Sequence, residues 1–385
     1  MSDNAGSLGK HSTMQQNGAG TTSFTRYWEV GEYRDLMQQL ENFMSTVLKT
    51  DQIPFEIRFQ LGNLRAVRNP VGDSKYKSLV GFVSLCGQWM DLYWEGYAYR
   101  ADLQLYFDCF RRHQYARLFS HGFMMSHVDR ATAAKLYNDF INCLRVEAVR
   151  QGVRKKLIDA RDNVGEQEDS IERYLSKLTS QYKSLVPIRV DLTYEEAAFD
   201  GNDAMSRMSW EATGEEGWMT VPSSMPIRDE RLETRARIDP VAALANRNSF
   251  LTDRRGADKH LFENMVGHIS KYEQGGRHGA NHFHLIFLID PRGLSDSDIA
   301  GLRYDMAARW CRITRGKGLI FDCHDEAYRR SIESHVDWAI DRLDCSNARH
   351  VKRFIDYVTG YFAKGDGQMP RVKPRTKART LTKGR

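Results

Sequence analysis

The stretch FENMVGHISKYEQGGRHGANHFHLIFLIDPRG, residues 262–293, decides the fold of this chain. It contains two segments, 264–273 and 281–290, whose residues favour extended backbone. The connection between them is rich in glycine, which is typical of a turn between antiparallel strands. The stretch therefore predicts a β-hairpin.

The second strand of this hairpin carries two histidines in the pattern His-x-His. Because side chains alternate along a strand, His282 and His284 share one face. Four apolar side chains point to the opposite face: Phe283, Leu285, Phe287 and Ile289. Glu273, at the end of the first strand, can add an oxygen beside the two imidazoles, and such a mixed set suits Mg²⁺, Mn²⁺ or Zn²⁺. The alternative is that both histidines are structural or surface residues.

A second chemical pattern lies in HVKRFIDYVTGYFAKGD, residues 350–366, which predicts a helix from about Ala348 to Lys364. At 100° per residue, Tyr357, Tyr361 and Lys364 lie near one another on a face beside the apolar stripe. A phenol is a nucleophile that can hold a covalent phosphoryl group, and it needs a cation and a metal-bound phosphodiester to react at neutral pH. Alternatively, the tyrosines cover the edge of a core.

These ordered motifs resemble the two signatures of the HUH endonuclease superfamily, which nicks single-stranded DNA. HFHLIF, 282–287, resembles the first signature, and YVTGYFAK, 357–364, resembles the two-tyrosine helix of the gene A replication proteins of single-stranded-DNA phages. The hairpin stretch resembles the matching block of inovirus-type replication initiators, which are similar to the gene II protein of filamentous phages. IRVDLTY, 188–194, is similar to their first-strand motif. The resemblance covers about residues 184–365.

The resemblance implies a rolling-circle replication initiator that nicks and rejoins single-stranded DNA at an origin through a 5′-phosphotyrosine intermediate. It implies a divalent cofactor, Mg²⁺ or Mn²⁺, bound by His282 and His284, and we predict Glu273 as the third ligand. The expected partners are single-stranded or hairpin DNA at the origin, together with a host helicase and polymerase. The expected location is the cytoplasm of a bacterial host cell.

The resemblance also assigns roles on the last helix. Tyr361 would be the nucleophile of the Tyr-x-x-Lys motif and Lys364 its partner. Tyr357 would be a second nucleophile that attacks while Tyr361 is still esterified, although a packing role for Tyr357 is equally consistent with the pattern.

The predicted fold class is α+β, with an all-α region ahead of a C-terminal HUH endonuclease domain. That domain combines an antiparallel sheet with helices on one face, and its strands are expected at 185–194, 264–273, 281–290 and 318–323. The predicted organisation is a disordered N-terminus, a helical domain, the HUH domain and a basic disordered tail, with bounds 1–24, 25–183, 184–365 and 366–385.

The composition of the 385 residues, 41% hydrophobic and 28% charged, is that of a globular protein. The sequence has no apolar run of the roughly 18–20 residues that a bilayer-spanning helix needs, so no membrane association is expected. The net charge is +6, but the last fifteen residues hold seven Lys and Arg, and the other residues hold 49 basic and 50 acidic side chains. We therefore predict that the tail contacts DNA phosphates, the alternative being a tail that only aids solubility. The cations concerned are Arg371, Lys373, Arg375, Lys377 and Arg379.

Three other functions remain open at this point. A relaxase or single-strand transposase of the same superfamily would carry the same active site and differ in its DNA product. A non-catalytic DNA-binding regulator would keep the sheet without the activity. A metal-stabilised structural protein would need the histidines but neither tyrosine.

Overall fold

A computed structural model describes residues 32–69, 75–93, 97–120, 123–194, 239–252, 256–275, 280–333, 337–364, 372–373 and 378–384, with a few short strands outside these ranges. The helices in these parts of the chain are α1 (Glu32–Lys49), α2 (Ala101–Arg112), α3 (Arg130–Arg150), α4 (Val153–Thr179), α5 (Pro240–Thr252), α6 (His260–Glu263), α7 (Asp296–Ile313), α8 (Glu326–Ile332) and α9 (Ala348–Thr359). The longer strands are β4 (Phe55–Gln60), β5 (Asn63–Arg68), β9 (Ser184–Tyr194), β13 (Met265–Gly275), β14 (Ala280–Ile289), β15 (Gly318–Asp322) and β18 (Leu381–Gly384). The shorter or peripheral strands are β1 (Ser12–Gln16), β2 (Thr22–Arg26), β3 (Trp28–Glu29), β6 (Ala98–Tyr99), β7 (Phe119–Ser120), β8 (Phe123–Met124), β10 (Met208–Ala212), β11 (Trp218–Pro222), β12 (Glu233–Thr234), β16 (Leu343–Asp344) and β17 (Val372–Lys373).

The central sheet has the strand order β15–β9–β14–β13–β18, and every neighbouring pair is antiparallel. The short strand β16 pairs with the start of β9. Each of the four strands predicted for this sheet is observed within two residues of its predicted bounds. The predicted combination of helices with an antiparallel sheet, an α+β fold, is therefore confirmed.

Helices cover both faces of this sheet, so the prediction of helices on one face is wrong. On one face, Phe283 packs against Trp310 of α7, with ring centroids 6.2 Å apart. On the other face, Ile286 and Leu288 are fully buried in a core that includes Phe354 of α9 and residues of α4. The reason lies in the uninterrupted apolar run 285–289, because a strand buried on both faces needs cover on both, at about 1.5–3 kcal/mol per buried side chain.

The region before the sheet is mostly helical, but it is not all-α as predicted. Strands β4 and β5 form an antiparallel hairpin whose two-residue turn, Leu61 and Gly62, has positive φ angles of 51° and 77°. Asn138 of α3 clamps its base, because its side-chain amide donates to the Phe55 carbonyl at 2.7 Å and its oxygen accepts from the Phe55 N–H. Residues of different polarity alternate along this segment, which favours strands, and the two-residue turn allows the two strands to pair as a hairpin. None of the helices in the described part of the chain has the length and apolar composition that crossing a bilayer requires.

The helix α4 connects the two regions through packing. Its residues Ile171 and Leu175 are fully buried in the same core as Leu185 of β9 and Phe354 of α9. The domain boundary predicted near Ser184 therefore falls inside a shared core, because α4 covers one face of the sheet.

The ends of the chain contain strands where disorder was expected. Leu381–Gly384 forms β18 on the open edge of β13, and the Tyr174 hydroxyl donates to the Gly384 carbonyl at 2.7 Å. The prediction of a disordered tail is wrong for these residues. The edge of β13 offers unpaired backbone groups with which β18 pairs, and Leu381 packs against the core that α4 and α9 share. Near the other end of the chain, Ser12–Gln16 pairs with Thr22–Arg26, and the disorder predicted for residues 1–24 stays a prediction.

Candidate metal centre and tyrosine site

The register of the three central strands brings the polar side chains together. In the pair β13–β14, Glu273 lies opposite His282 and Lys271 lies opposite His284. In the pair β14–β9, His284 lies opposite Asp191. Directly opposite residues in antiparallel strands have Cβ atoms about 5 Å apart, so these side chains can contact one another.

The three residues predicted as ligands form one donor set. His284 Nε2 lies 3.2 Å from Glu273 Oε2, and His282 Nε2 lies 3.7 Å from the same oxygen. One ligand atom from each residue fits within a span of 4.8 Å. Ligands that share one metal at about 2.0–2.2 Å lie roughly 3–3.5 Å apart. The His284–Glu273 distance falls in this range and the His282–Glu273 distance lies just above it, so the three residues form a candidate site for a divalent cation.

The carboxylate of this set is held in its ionised form. Burial alone would raise the pKa of Glu273, but hydrogen bonds with His282 and His284 and the charge of Lys271 outweigh it and hold the pKa well below its usual range. Lys271 Nζ lies 2.5 Å from Glu273 Oε1. An ionised oxygen is therefore available beside the imidazole nitrogens.

A second carboxylate lies behind the site. His284 Nδ1 is 2.8 Å from Asp191 Oδ1, on the side of the ring away from Glu273. Burial lowers the pKa of His284, but Asp191 and Glu273 overcome it and raise the pKa to about 9. A carboxylate that accepts from the second nitrogen of a metal-binding histidine fixes the orientation of the ring. Asp191 was not among the residues predicted from the sequence, although an acidic residue in the middle of a mostly apolar strand is a signal for such a role.

Tyr361 lies against His284, at the ring nitrogen that also faces Asp191, while the other ring nitrogen faces Glu273. Its hydroxyl oxygen is 2.8 Å from His284 Nδ1, and the two rings meet edge to face with centroids 5.1 Å apart. The helix α9 ends at Thr359, and Gly360–Lys364 continues it as a π-helical turn. Such turns are frequent at functional sites. Burial, helped by the charge of Asp191, raises the pKa of Tyr361 well above its usual value although Arg189 opposes this.

Tyr357 connects to the site through a buried arginine. The Arg189 side chain is 1% exposed, and its guanidinium carbon lies 3.6 Å from the centroid of the Tyr361 ring. Arg189 Nη1 donates to the Tyr357 hydroxyl at 2.6 Å, whereas Arg189 Nε is buried without a hydrogen bond to any described residue. Burial raises the pKa of Tyr357, and Arg189 counters part of this rise. Arg189 was not among the residues predicted from the sequence. The available signal was the pattern Arg-x-Asp, which places Arg189 and Asp191 on one face of the strand.

The structure describes the side chains of only two of the other predicted site residues. Lys364 ends the π-helical turn, and its side chain lies outside the described residues. Lys373 and Arg379 are exposed. The remaining predicted tail cations also lie outside the described residues: Arg371, Arg375 and Lys377. His268, on β13, packs against Phe287 on the face of the sheet opposite to His284.

The arrangement combines a candidate cation site, a phenol in hydrogen-bond contact with one of its histidines, and a buried guanidinium over the phenol ring. These groups suit reactions that develop negative charge on a phosphate and on a phenol oxygen. Comparison of the chain with protein-family models, with curated proteins and with solved structures finds no match.

Proposed function

We propose that this chain is a metal-dependent DNA nickase and strand transferase with an HUH-type domain that initiates rolling-circle replication. One observation carries the proposal: the Tyr361 hydroxyl lies 2.8 Å from Nδ1 of His284, whose Nε2 faces Glu273 in the donor set with His282. A phenol beside a two-histidine and carboxylate cation site is the combination that phosphodiester transesterification by tyrosine requires.

The proposed reaction uses the chain's own groups as follows. His282, His284 and Glu273 would bind Mg²⁺ or Mn²⁺, which when bound supplies Lewis-acid polarisation of the scissile phosphate. Tyr361 attacks the phosphorus, so that a phenolic O–P bond forms and the bond from phosphorus to the 3′ oxygen breaks. The tyrosine proton ends on that oxygen, which leaves a 5′-phosphotyrosine ester and a free 3′-hydroxyl. The reverse reaction rejoins the strand.

The buried Arg189 supports two phenols in this chemistry. Its guanidinium contacts the Tyr361 ring and donates to the Tyr357 hydroxyl, so it favours negative charge on both oxygens. A second tyrosine near the same cation fits a cycle in which Tyr357 attacks while Tyr361 is esterified. Lys364 would act with Tyr361, as the resemblance implies.

The proposed partners and location follow from this activity. They are origin DNA in single-stranded or hairpin form, together with a helicase and a polymerase in the cytoplasm of a bacterial host. The exposed Lys373 and Arg379 support a contact between the tail and DNA phosphates.

The decisive experiment is adduct formation on a pool of labelled single-stranded oligonucleotides in Mg²⁺ or Mn²⁺, followed by peptide mass spectrometry. We expect a nucleotide adduct on Tyr361, loss of nicking in Tyr361→Phe, and retained DNA binding. Tyr304→Phe is the matched control, because Tyr304 is 77% exposed on α7. An adduct that persists in Tyr361→Phe would reassign the nucleophile.

The metal site has its own test, because His282→Ala removes one proposed ligand. We expect its nicking to need a higher Mn²⁺ concentration than wild type. Metal dependence that is unchanged in His282→Ala would refute the ligand assignment. Product analysis then separates initiation of replication, which displaces a strand, from transfer of that strand.

A further inference from the structure

The tip of the β4–β5 hairpin exposes large apolar side chains to solvent. Phe59, Leu61 and Leu64 are 72%, 88% and 58% exposed, respectively. Phe59 and Leu64 are directly opposite each other in the hairpin register, and Leu61 is in the turn. The three side chains therefore form one apolar tip, in contrast to the single apolar residues that are normally scattered over a protein surface.

Leu61 is an energetically unfavourable residue at the first position of this turn. Leu61 has a φ of 51°, in the left-handed region, where a side chain other than that of Gly, Asn or Asp is disfavoured. A turn with positive φ at both central residues strongly prefers Asn-Gly, and this chain has Leu61-Gly62. Neither burial nor backbone preference explains a leucine here, which points to a ligand.

The polar face of the same hairpin is cationic. Arg58 and Arg65 are direct cross-strand neighbours, an arrangement of like charges that weakens strand pairing. Arg58 has an ion pair with Glu56 at 2.6 Å, whereas Arg65 has none among the described residues. With Arg68 the hairpin carries three arginines against one glutamate, so an anionic partner would relieve the repulsion.

The base of the hairpin is firmly held, so the tip is a fixed projection. Phe55 packs against Tyr137 of α3, and Asn138 holds both backbone groups of Phe55. Asn69 closes the other strand by donating to the Ile53 carbonyl at 2.8 Å. From Phe55 to Leu61 the strand extends about 20 Å, at about 3.3 Å per residue.

We propose that this hairpin tip binds DNA where a single strand leaves a duplex. Unstacked bases would pack on Phe59, Leu61 and Leu64, while Arg58 and Arg65 contact the phosphates. Proteins that unstack DNA insert apolar wedges in this way, and bases stack on exposed rings without sequence preference. The proposal deepens the proposed function, on which it rests for the choice of DNA as the anionic partner, because a nickase at a hairpin or duplex origin meets such junctions.

The sharpest variant is Leu61→Asn, because it installs the preferred turn residue while removing an apolar contact. We expect its melting temperature to stay the same or rise while its Kd for a labelled fork increases at least about five-fold. Phe59→Ala should weaken fork binding similarly, and Arg65→Ala should lower the salt slope of binding by about one unit. Val149→Ser, at another exposed apolar residue, is the matched control and should bind as wild type does.

Fluorescence anisotropy with the full chain in the Tyr361→Phe background measures this binding without nicking. If Leu61→Asn and Phe59→Ala bind the fork as tightly as wild type, the proposal is overturned, whether or not adduct formation on Tyr361 supports the nickase. If they lose fork binding although no adduct forms with any metal, the nickase proposal fails and the hairpin proposal stands. If the same variants instead lose binding to phosphatidylserine vesicles or lose self-association, with fork binding unchanged, the ligand is a lipid surface or a second copy and the DNA proposal is overturned.

Discussion

Replacing Asp191 by asparagine tests whether the carboxylate behind His284 sets the metal affinity of the site. Asp191 Oδ1 lies 2.8 Å from His284 Nδ1, while the other ring nitrogen faces Glu273. Asparagine has nearly the same shape and can still accept a hydrogen bond, but it has no charge. The substitution therefore isolates the electrostatic part of the contact.

The size of the effect follows from the kind of hydrogen bond that is lost. A hydrogen bond to a charged group contributes about 1.5–3 kcal/mol, and a neutral one contributes about 0.5–1.5 kcal/mol. The difference, about 1.5 kcal/mol, corresponds to about ten-fold in metal affinity. That value lies at the lower end of the 10–100-fold range typical of such partners.

Isothermal titration of the DNA-free protein with Mn²⁺ measures this affinity without depending on nicking. We expect Asp191→Asn to bind Mn²⁺ about ten-fold more weakly and to recover its activity at saturating metal. Asp290→Asn is the control, because Asp290 also has an ion pair, with Arg292, but follows the opposite end of β14. If Asp191→Asn binds Mn²⁺ with wild-type affinity while His282→Ala binds it poorly, the reasoning is refuted.

Three further substitutions test other parts of the structure by urea denaturation. His324 Nε2 accepts a hydrogen bond from the Arg189 backbone N–H at 2.9 Å, and burial lowers the pKa of His324 to about 4. As the pH is lowered, the unfolded chain therefore takes up this proton before the folded chain does. The free energy of unfolding falls as the pH is lowered from about 6.5 to 4. His324→Gln should remove up to about 3 kcal/mol of that fall, and a wild-type pH profile in the variant would contradict this. Gly267→Ala should destabilise by about 1–3 kcal/mol, because the new Cβ would lie 2.5 Å from the Tyr174 hydroxyl, and unchanged stability would show that α4 shifts freely. Gly360→Ala meets no atom within 4 Å and should stabilise by up to about 1 kcal/mol, whereas a loss of stability would contradict the helical geometry described there.

The hairpin and its donor set were predictable because they depend on local pattern. Strand periodicity put His282 and His284 on one face, and the glycine-rich connection set the approximate register that places Glu273 opposite His282. The capping box at the start of α7, formed by Ser295 and Asp298, likewise depends only on neighbouring residues. Short-range pairing is what a sequence specifies most directly.

The rest of the site depends on contacts between residues far apart in the sequence. Asp191 and Arg189 become part of it only because β9 pairs with β14, and no local pattern sets that pairing. The contact between Tyr361 and His284 depends on how α9 packs on the sheet and on the π-helical turn. The strand at Leu381–Gly384 was missed because its cationic composition outweighed the few apolar residues that pack it on the sheet.

The sheet edge formed by β18 has a consequence for the order in which the chain folds during synthesis. The ribosome releases β13 and β14 first, and their hairpin can form from neighbouring residues. Tyr361 follows the end of β14 by 72 residues and the start of β18 follows it by 92, so His282, His284 and Glu273 can meet before the tyrosine is synthesised. During that interval the backbone of His268–Lys271 has no partner strand on its outer side, and the nascent chain is then most open to pairing with another chain.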